Sequence, residues 1–536
     1  MIQMMTGYVA LAMSAALTFQ AKASQDTIGK KQLPAKQFSV QEKFEKAKTS
    51  TPHLRAFLTK FPKGGDLHNH LVGAIYAENY IAWGAEDGLC INPDNFGLTP
   101  PEKDKECAIP AKDAMKSGSI RDKIINALSM RNFKPSAGWS GHDQFFSTFD
   151  KMYYANFYQY GDGPLRSGDM LAELSARAAA QNLGYLELLH TMELGSILSM
   201  VPSNFGAGEL SIKGLYKALM QGPFGKALPQ LVLNARQHLD QATNRKNKIL
   251  DCAHAGAGCD VEILFLHQVI REFSLPQVFA QLILGTEIAR ADHRMAGLNM
   301  VAPEDGVIAM ADYDKHMQMI NFLWQNEKEA GGELNISLHA GELTLGLVAP
   351  EDMRNHIRKA IEVAHAKRIG HGIDIAYEDN AENLLQKMAD DEIMVEINLS
   401  SNEAILGVKG RDHPYALYQE AGVPMALSTD DEGVSRIDIT NEYIKAVMEQ
   451  GASYNDLLTL SRNSLTYSFI PGESLWTKNI ISNADCANDL KLENRSPSQY
   501  CQAFLDTSTK ASMQWSLEQK INQFEGYLVL ETKENE

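Results

Sequence analysis

The chain has 536 residues, of which 44% are apolar and 22% charged, and its formal net charge at pH 7 is −17. That length can bury a large core, and the composition is that of a folded globular protein, which excludes a disordered, collagen-like or regularly repeating chain. The acidity argues against binding along a phosphate backbone and says little else.

The first feature in chain order is an apolar run at residues 8–19 (YVALAMSAALTF), followed by Ala21-Lys22-Ala23. An apolar core ending in small residues at an A-x-A site has the form of a secretory signal peptide, here residues 1–23, although the leading MIQMMTG carries no Lys or Arg. The run is too short to span a bilayer comfortably and no other stretch reaches spanning length, so no stable membrane anchor is expected after cleavage. Cleavage would remove Lys22 and no acid, taking the charge to −17 − 1 = −18. Residues 24–60 form an N-terminal extension with no assigned role, and residues 61–536 are taken as one barrel domain. Six cysteines fall into near neighbours, Cys90 with Cys107, Cys252 with Cys259 and Cys486 with Cys501. A secreted or periplasmic chain could close three local disulfides in this way, with free buried thiols as the alternative and the connectivity open.

Eight short apolar runs end in polar or titratable residues. They are the stretch GGDLHNHLVG (64–73) and residues 185–190, 261–267, 295–300, 335–342, 368–374, 394–401 and 424–431. Segments with helical spacing, such as 351–367 and 381–390, lie between the later runs. Strand and helix therefore alternate, and eight strands favour an α/β fold of the closed (β/α)8 TIM-barrel type over an open doubly wound sheet. Titratable residues fall at the C-terminal strand ends, the face where barrel enzymes carry their chemistry. The stretch of about 77–184 is too long for one crossover helix, which predicts a helical insertion after strand 1. Its aromatic run at 145–158 reads more readily as core than as a lid over substrate. Past Ser435, residues 441–450, 454–468 and 513–524 read as extra C-terminal helices.

Within those strands, His68 and His70 point to one face and Asn69 to the other. An H-x-H pair alone is weak, because the pattern arises by chance. His339 ends the fifth predicted strand, with Glu342 three residues on in HAGE. His371 ends the sixth between Gly370 and Gly372, where glycines would let a ligand approach the backbone. Asp430 and Asp431 end the eighth, and adjacent side chains should diverge, one towards a metal and the other towards substrate. Each residue singly reads as well as an ordinary hydrogen-bonded polar group. Jointly, His68, His70, His339 and Asp430 suit one Zn²⁺ or a similar divalent ion per chain, which would lower the pKa of bound water and supply hydroxide near neutral pH. Hydrolysis follows from that chemistry.

The stretches His68-Asn-His-Leu-Val-Gly-Ala74, His339-Ala-Gly-Glu342, Arg368-Ile-Gly-His-Gly372 and Ser428-Thr-Asp-Asp431 resemble, in order and over roughly residues 61–435, the motif series of the adenosine deaminase family of metal-dependent amidohydrolases. The leader and extension are similar to its exported, growth-factor-related branch. The resemblance implies that His68, His70, His339 and Asp430 hold zinc, that His371 orients and deprotonates the attacking water, and that Glu342 protonates the purine nitrogen next to the reacting carbon. It implies that Asp431 hydrogen-bonds the other side of the ring and that the backbone at Ala302, where the family usually has glycine, contacts the base. The implied reaction is zinc-dependent hydrolytic deamination of adenosine or 2'-deoxyadenosine to an inosine-type product plus ammonia. The partner is then a small-molecule purine nucleoside rather than a nucleic acid, and a homodimer is left open. Three further departures bear on substrate: Val72 stands where the family has a sugar-binding acid, Glu432 replaces a proline, and Asn398-Leu-Ser-Ser-Asn402 replaces a proline-containing motif. The alternatives are a deaminase of adenine or another adenosine derivative, and a secreted adenosine-binding or signalling protein without turnover. The zinc deaminases of nucleic-acid bases use H-x-E and P-C-x-x-C, which this chain lacks.

Overall fold

The computed structural model describes residues 35–103, 105–157, 166–205, 211–477, 480–481, 483–490 and 496–534. The predicted signal peptide and residues 24–34 of the extension lie outside the described residues. Eight strands carry the centre of the fold: β1 Gly64–His70, β2 Leu183–His190, β3 Glu262–Ile270, β4 Met295–Val301, β5 Ser337–Ala340, β6 Arg368–His371, β7 Met394–Ile397 and β8 Met425–Leu427. They form two parallel four-stranded sheets, in the orders β1-β2-β3-β4 and β5-β6-β7-β8.

The sheets meet at two seams. Beyond β8, Asn69 and Asp430 form a parallel bridge in which the His70 N–H donates to the Asp430 carbonyl at 2.9 Å and the Asp430 N–H to that of His68 at 2.8 Å. At the other seam Leu298 of β4 bridges Ile336, just before β5. Burial on both faces explains the near-continuous apolar runs of strands such as β2, because helices cover a parallel sheet from outside. The helix Leu275–Ala291 shows this, burying Val278, Phe279, Leu282 and Ile283 behind a Ser274–Gln277 capping box.

Several predicted boundaries shift. Residues 351–367 hold a 3₁₀ turn, Pro350–Met353, and a short helix, His356–Glu362, instead of one helix. The break at Asn355 puts the buried His356 ring against Glu304, so a tertiary contact overrides the local periodicity. The seventh strand stops at Ile397, and the chain turns at once into the helix Leu399–Leu406.

The insertion between β1 and β2 is helical, with its longest described helix at Gly141–Phe157. That helix buries Phe145, Thr148 and Met152 while Tyr153 and Tyr154 stay exposed, so much of its aromatic run packs inward; Tyr158 lies outside the described residues. Gly141 starts the helix at a close approach, since a Cβ there would fall 2.0 Å from the Ala404 carbonyl oxygen. His142 in the first turn bonds Asp305 of the loop after β4 at 2.9 Å. The insertion thus rests on the loops beyond the strand ends.

Helices Ala35–Ala47 and Thr51–Lys60 belong to the main core. Phe44, Phe57 and Phe61 interlock with Tyr454 and Phe524 of the C-terminal helices at centroid separations of 5.2–6.3 Å. Disulfides join Cys90 to Cys107, Cys252 to Cys259 and Cys486 to Cys501, and no cysteine is free among the described residues. No described helix is long and apolar enough to cross a membrane. Because Phe44 is fully buried between the chain's two ends, Phe44→Ala is expected to destabilise the protein by about 3–5 kcal/mol, read as a fall in the urea midpoint.

Candidate active site

His68 and His70 leave the end of β1, His339 lies in β5, and Asp430 stands just past β8. Their atoms converge although the residues are hundreds of positions apart. His339 Nε2 lies 3.0 Å from His68 Nε2 and 3.3 Å from His70 Nε2, while Asp430 Oδ1 lies 3.4 and 3.1 Å from the same two nitrogens. Ligands about 2.0–2.1 Å from a tetrahedral zinc-like ion stand roughly 3.3–3.4 Å apart, close to these spacings.

The other ring nitrogens show what the converging ones offer. His68 Nδ1 donates to the Glu396 carboxylate at 2.6 Å, His70 Nδ1 to Gln268 Oε1 at 2.8 Å and His339 Nδ1 to Asn299 Oδ1 at 2.8 Å. A ring that donates through Nδ1 leaves Nε2 as a bare lone pair. Asp430 Oδ2 is taken by the Ser401 hydroxyl, so Oδ1 is the oxygen turned to the histidines. Three imidazole lone pairs and a carboxylate oxygen are therefore held against one another, as in sites where outer hydrogen bonds orient metal ligands. The donor set fits a divalent cation.

Among themselves the side chains resolve this crowding by protonation. Burial opposes a charge on His68, but Asp430 and Glu396 outweigh it and raise its pKa to about 10. Burial likewise opposes ionisation of Asp430, yet the bonds from His68 and His70 hold it well below the usual carboxylate range. Crowded by burial and by the other rings, His339 is pushed well down and stays neutral. Burial opposes a charge on His70 as well, but Asp431 and Asp430 outweigh it and raise its pKa, so protons on these rings stand where a cation's charge would.

Glu342 stands three residues beyond His339, buried, with Oε1 3.5 Å from His371 Nδ1 and without a hydrogen-bond partner. Burial, then the negative charges of Asp430 and Glu304, raise its pKa well above the ordinary carboxyl value. Glu304 also fixes its position, accepting from the main-chain N–H groups of Gly341 and Glu342 at 3.1 and 2.8 Å and from His356 Nδ1 at 2.6 Å. Asp431 is raised well above the usual range too, by burial before the charge of Asp430, and its Oδ1 is unpartnered. Gly73 makes room for it, since a Cβ there would fall 1.5 Å from Asp431 Oδ1.

His371 places a ring nitrogen within 4.8 Å of those of His68 and His339 and of an Asp430 oxygen. Distance alone leaves five residues for four ligand positions. Chemistry separates them: His70 Nδ1 faces an acceptor, whereas His371 Nδ1 faces the Asn402 amide nitrogen at 2.8 Å. Gly370 serves packing more than ligand approach, because a Cβ there would stand 2.6 Å from the His68 ring. Ala302 has φ +86°, in the region that favours glycine, and its carbonyl accepts from Arg271 Nε at 3.0 Å. His371 and Asp430 also have positive φ, so strain gathers at three strand ends facing the site. Val72 packs against the core, and its carbonyl accepts from the Tyr80 hydroxyl at 2.6 Å. Glu432 is buried, paired with Arg177 at 2.8 Å and bonded by Asn69 at 3.1 Å, which gives the residue in the proline's place a structural use.

The supporting residues Gln268, Asn299, Glu304, Glu396, Ser401 and Asn402 carry no role in the sequence reading. Asn299 and Glu396 are polar residues inside otherwise apolar strands, the same signal that marks His68 and His70. The His267 that ends a predicted run stands apart from this cluster, its ring against Gly285 of the flanking helix. A cavity of about 1040 Å³, lined by Lys367, Tyr467, Phe469, Trp476 and Lys510 among others, lies towards the strand starts and holds none of the convergent residues.

Residues 234–485 match the family model described as Adenosine deaminase, a span that contains His339, Glu342, His371, Asp430 and Asp431. Over that span the chain belongs to the adenosine deaminase family. His68 and His70 lie outside the matched span, and the fold alone brings them to this family's other residues. Curated relatives include the adenosine deaminases of Shewanella loihica, 35% identical over 153 residues, and Plasmodium gallinaceum, 30% identical over 165. These alignments cover 28% and 30% of this chain and 42% of each relative, so the chain matches about two fifths of their length. Among solved structures, a zinc-bound amidohydrolase from Burkholderia ambifaria is similar in fold, with TM-score 0.50 and 16% identity over 79% of this chain and 89% of that one.

Loading the metal-free protein with Zn²⁺ at pH 7 is expected to release protons, chiefly as His68 gives up its charge. Titration calorimetry in buffers of different ionisation enthalpy reads this directly. His339→Ala is expected to bring bound metal well below one ion per chain while the far-UV circular dichroism stays unchanged.

Proposed function

We propose that the protein is a zinc-dependent deaminase that hydrolyses adenosine or 2'-deoxyadenosine to the inosine-type product and ammonia. The observation that carries this reading is the buried, raised-pKa carboxyl of Glu342 set beside a four-atom site suited to a divalent ion. His68, His70, His339 and Asp430 would hold the ion, which lowers the pKa of a bound water towards 7 and so makes hydroxide available near neutral pH.

The remaining work belongs to the side chains. Protonated Glu342 donates to the ring nitrogen beside C6, drawing electron density from that carbon as the oxygen adds. Asp431, kept neutral by burial and by Asp430, donates to a ring nitrogen on the other side. His371 orients the attacking oxygen. Water's oxygen ends on C6; the proton released as hydroxide forms restores Glu342 through solvent, and the remaining hydroxyl proton passes to the exocyclic nitrogen, which leaves as ammonia as the C6–N bond breaks and the carbonyl forms. The main chain at Ala302 is the proposed contact to the base, and with Val72 in place of an acid the sugar is recognised elsewhere.

Two structural features are read in the same way. The two sheets form one closed (β/α)8 barrel, supported by the bridges at both seams. The protein is secreted or periplasmic, supported by its three disulfides, which persist in oxidising compartments.

Zinc-loaded protein incubated with adenosine, 2'-deoxyadenosine, adenine and AMP is expected to release ammonia from the nucleosides, with the matching change in purine absorbance. Adenosine binding without ammonia would make the protein a binder instead. Glu342→Gln is expected to keep its metal and lose about 10²–10⁴-fold in kcat. Because Glu342 works protonated and its pKa is raised, turnover should fall as pH rises through that raised value and hold on its acid side. A basic limb that survives in Glu342→Gln would assign it to another group.

A further inference from the structure

The hydrogen bonds behind His371 determine which of its nitrogens carries a proton. The main-chain N–H of Tyr415 donates to His413 Nδ1 at 3.1 Å. A ring nitrogen that accepts carries no hydrogen, so neutral His413 has its proton on Nε2. That proton points to Asn402 Oδ1 at 3.1 Å, and the amide is thereby oriented with its NH₂ towards His371 Nδ1, 2.8 Å away. His371 Nδ1 accepts in its turn, which leaves the ring's own proton on Nε2. Asn402, His371 and His413 are 0%, 1% and 3% exposed, so bulk water does not compete for these bonds. Nε2 of His371 is buried and has no hydrogen-bond partner in the protein. Its ring centroid lies 5.0 and 5.3 Å from those of His68 and His339.

We propose that Asn402 and His413 are positioning residues that hold His371 in its Nε2–H form, so that it presents a hydrogen-bond donor to the oxygen that attacks the substrate. The contrast with its neighbours supports this: His68, His70 and His339 all spend their Nδ1 protons on acceptors and turn lone pairs inward, while His371 is wired the opposite way. A donor at this place cannot accept the water's proton through Nε2. It holds the oxygen in line and stabilises the negative charge that oxygen carries into the addition, as preorganised donors do. In the chemistry proposed above the ion would lower the water's pKa enough for that proton to pass to solvent, so no base is needed at His371. The role in turnover rests on the deaminase reading, whereas the tautomer rests on the hydrogen bonds alone.

The test is proton-detected ¹⁵N spectroscopy of zinc-loaded protein labelled at its 15 histidines, with His371→Gln used to assign the ring signals. An Nε2–H pattern for His371 is expected. Asn402→Asp places an acceptor against Nδ1 and should switch His371 to Nδ1–H, with metal content retained, KM little changed and kcat lower by about 10²–10³. His413→Leu frees the amide to rotate and should mix the two tautomers. His413→Gln can still donate to Asn402 Oδ1 and should restore the wild-type pattern, a rescue that a purely structural role does not require. An Nδ1–H pattern in the wild-type protein overturns the proposal even if Asn402→Asp does not fold, as does a tautomer switch that leaves kcat unchanged. Failure of the deaminase reading shows itself separately, as no ammonia from any purine while the wild-type spectrum keeps its Nε2–H pattern.

Discussion

Three imidazole nitrogens and a carboxylate oxygen, pressed together where only added positive charge can reconcile them, form the constraint that organises this molecule. His68, His70, His339 and Asp430 each commit their other polar atom to a partner behind them, and what remains faces inward at 3.0–3.4 Å where distances are set. Such an arrangement is repulsive on its own and is offset only by positive charge, a proton or a cation. The fold bears this cost in its interior: Arg368, fully buried, spans Glu187 at 2.6 Å and Glu396 at 2.7 Å, and Glu396 in turn steadies His68. A second layer of charge thus keeps the first in place.

The same logic separates the working acids. Asp430 is held ionised by the histidines, while Glu342 and Asp431 are held protonated by burial and by negative neighbours, Asp430 among them. Carboxyls that differ only in what surrounds them are pushed apart in pKa, which is how one pocket comes to contain both a carboxylate and protonated acids. Backbone strain at Ala302, His371 and Asp430 fits this picture, because each residue leaves its strand at the point where its side chain or main chain must turn to the site.

The convergent cluster of His68, His70, His339 and Asp430 was legible in the sequence because its residues end apolar runs at strand positions, and the spacing of His68 and His70 put both on one face. Strand number and order were legible for the same reason, down to 381–390 as a complete helix. What escaped was whatever depends on tertiary contact. The helix at 351–367 is broken where His356 meets Glu304, and Gln268, Asn299 and Glu396, though polar within apolar strands, show nothing of the rings on other strands that they serve. The wiring of His371 through Asn402 and His413 is visible only when the hydrogen bonds are followed in three dimensions.

X-ray absorption at the zinc edge of the loaded protein tests the central claim most directly. The account predicts a four- or five-coordinate ion with three imidazole nitrogens and carboxylate or water oxygen at about 2.0–2.2 Å. A spectrum showing sulfur ligation, or an oxygen-only shell without imidazole scattering, would contradict it.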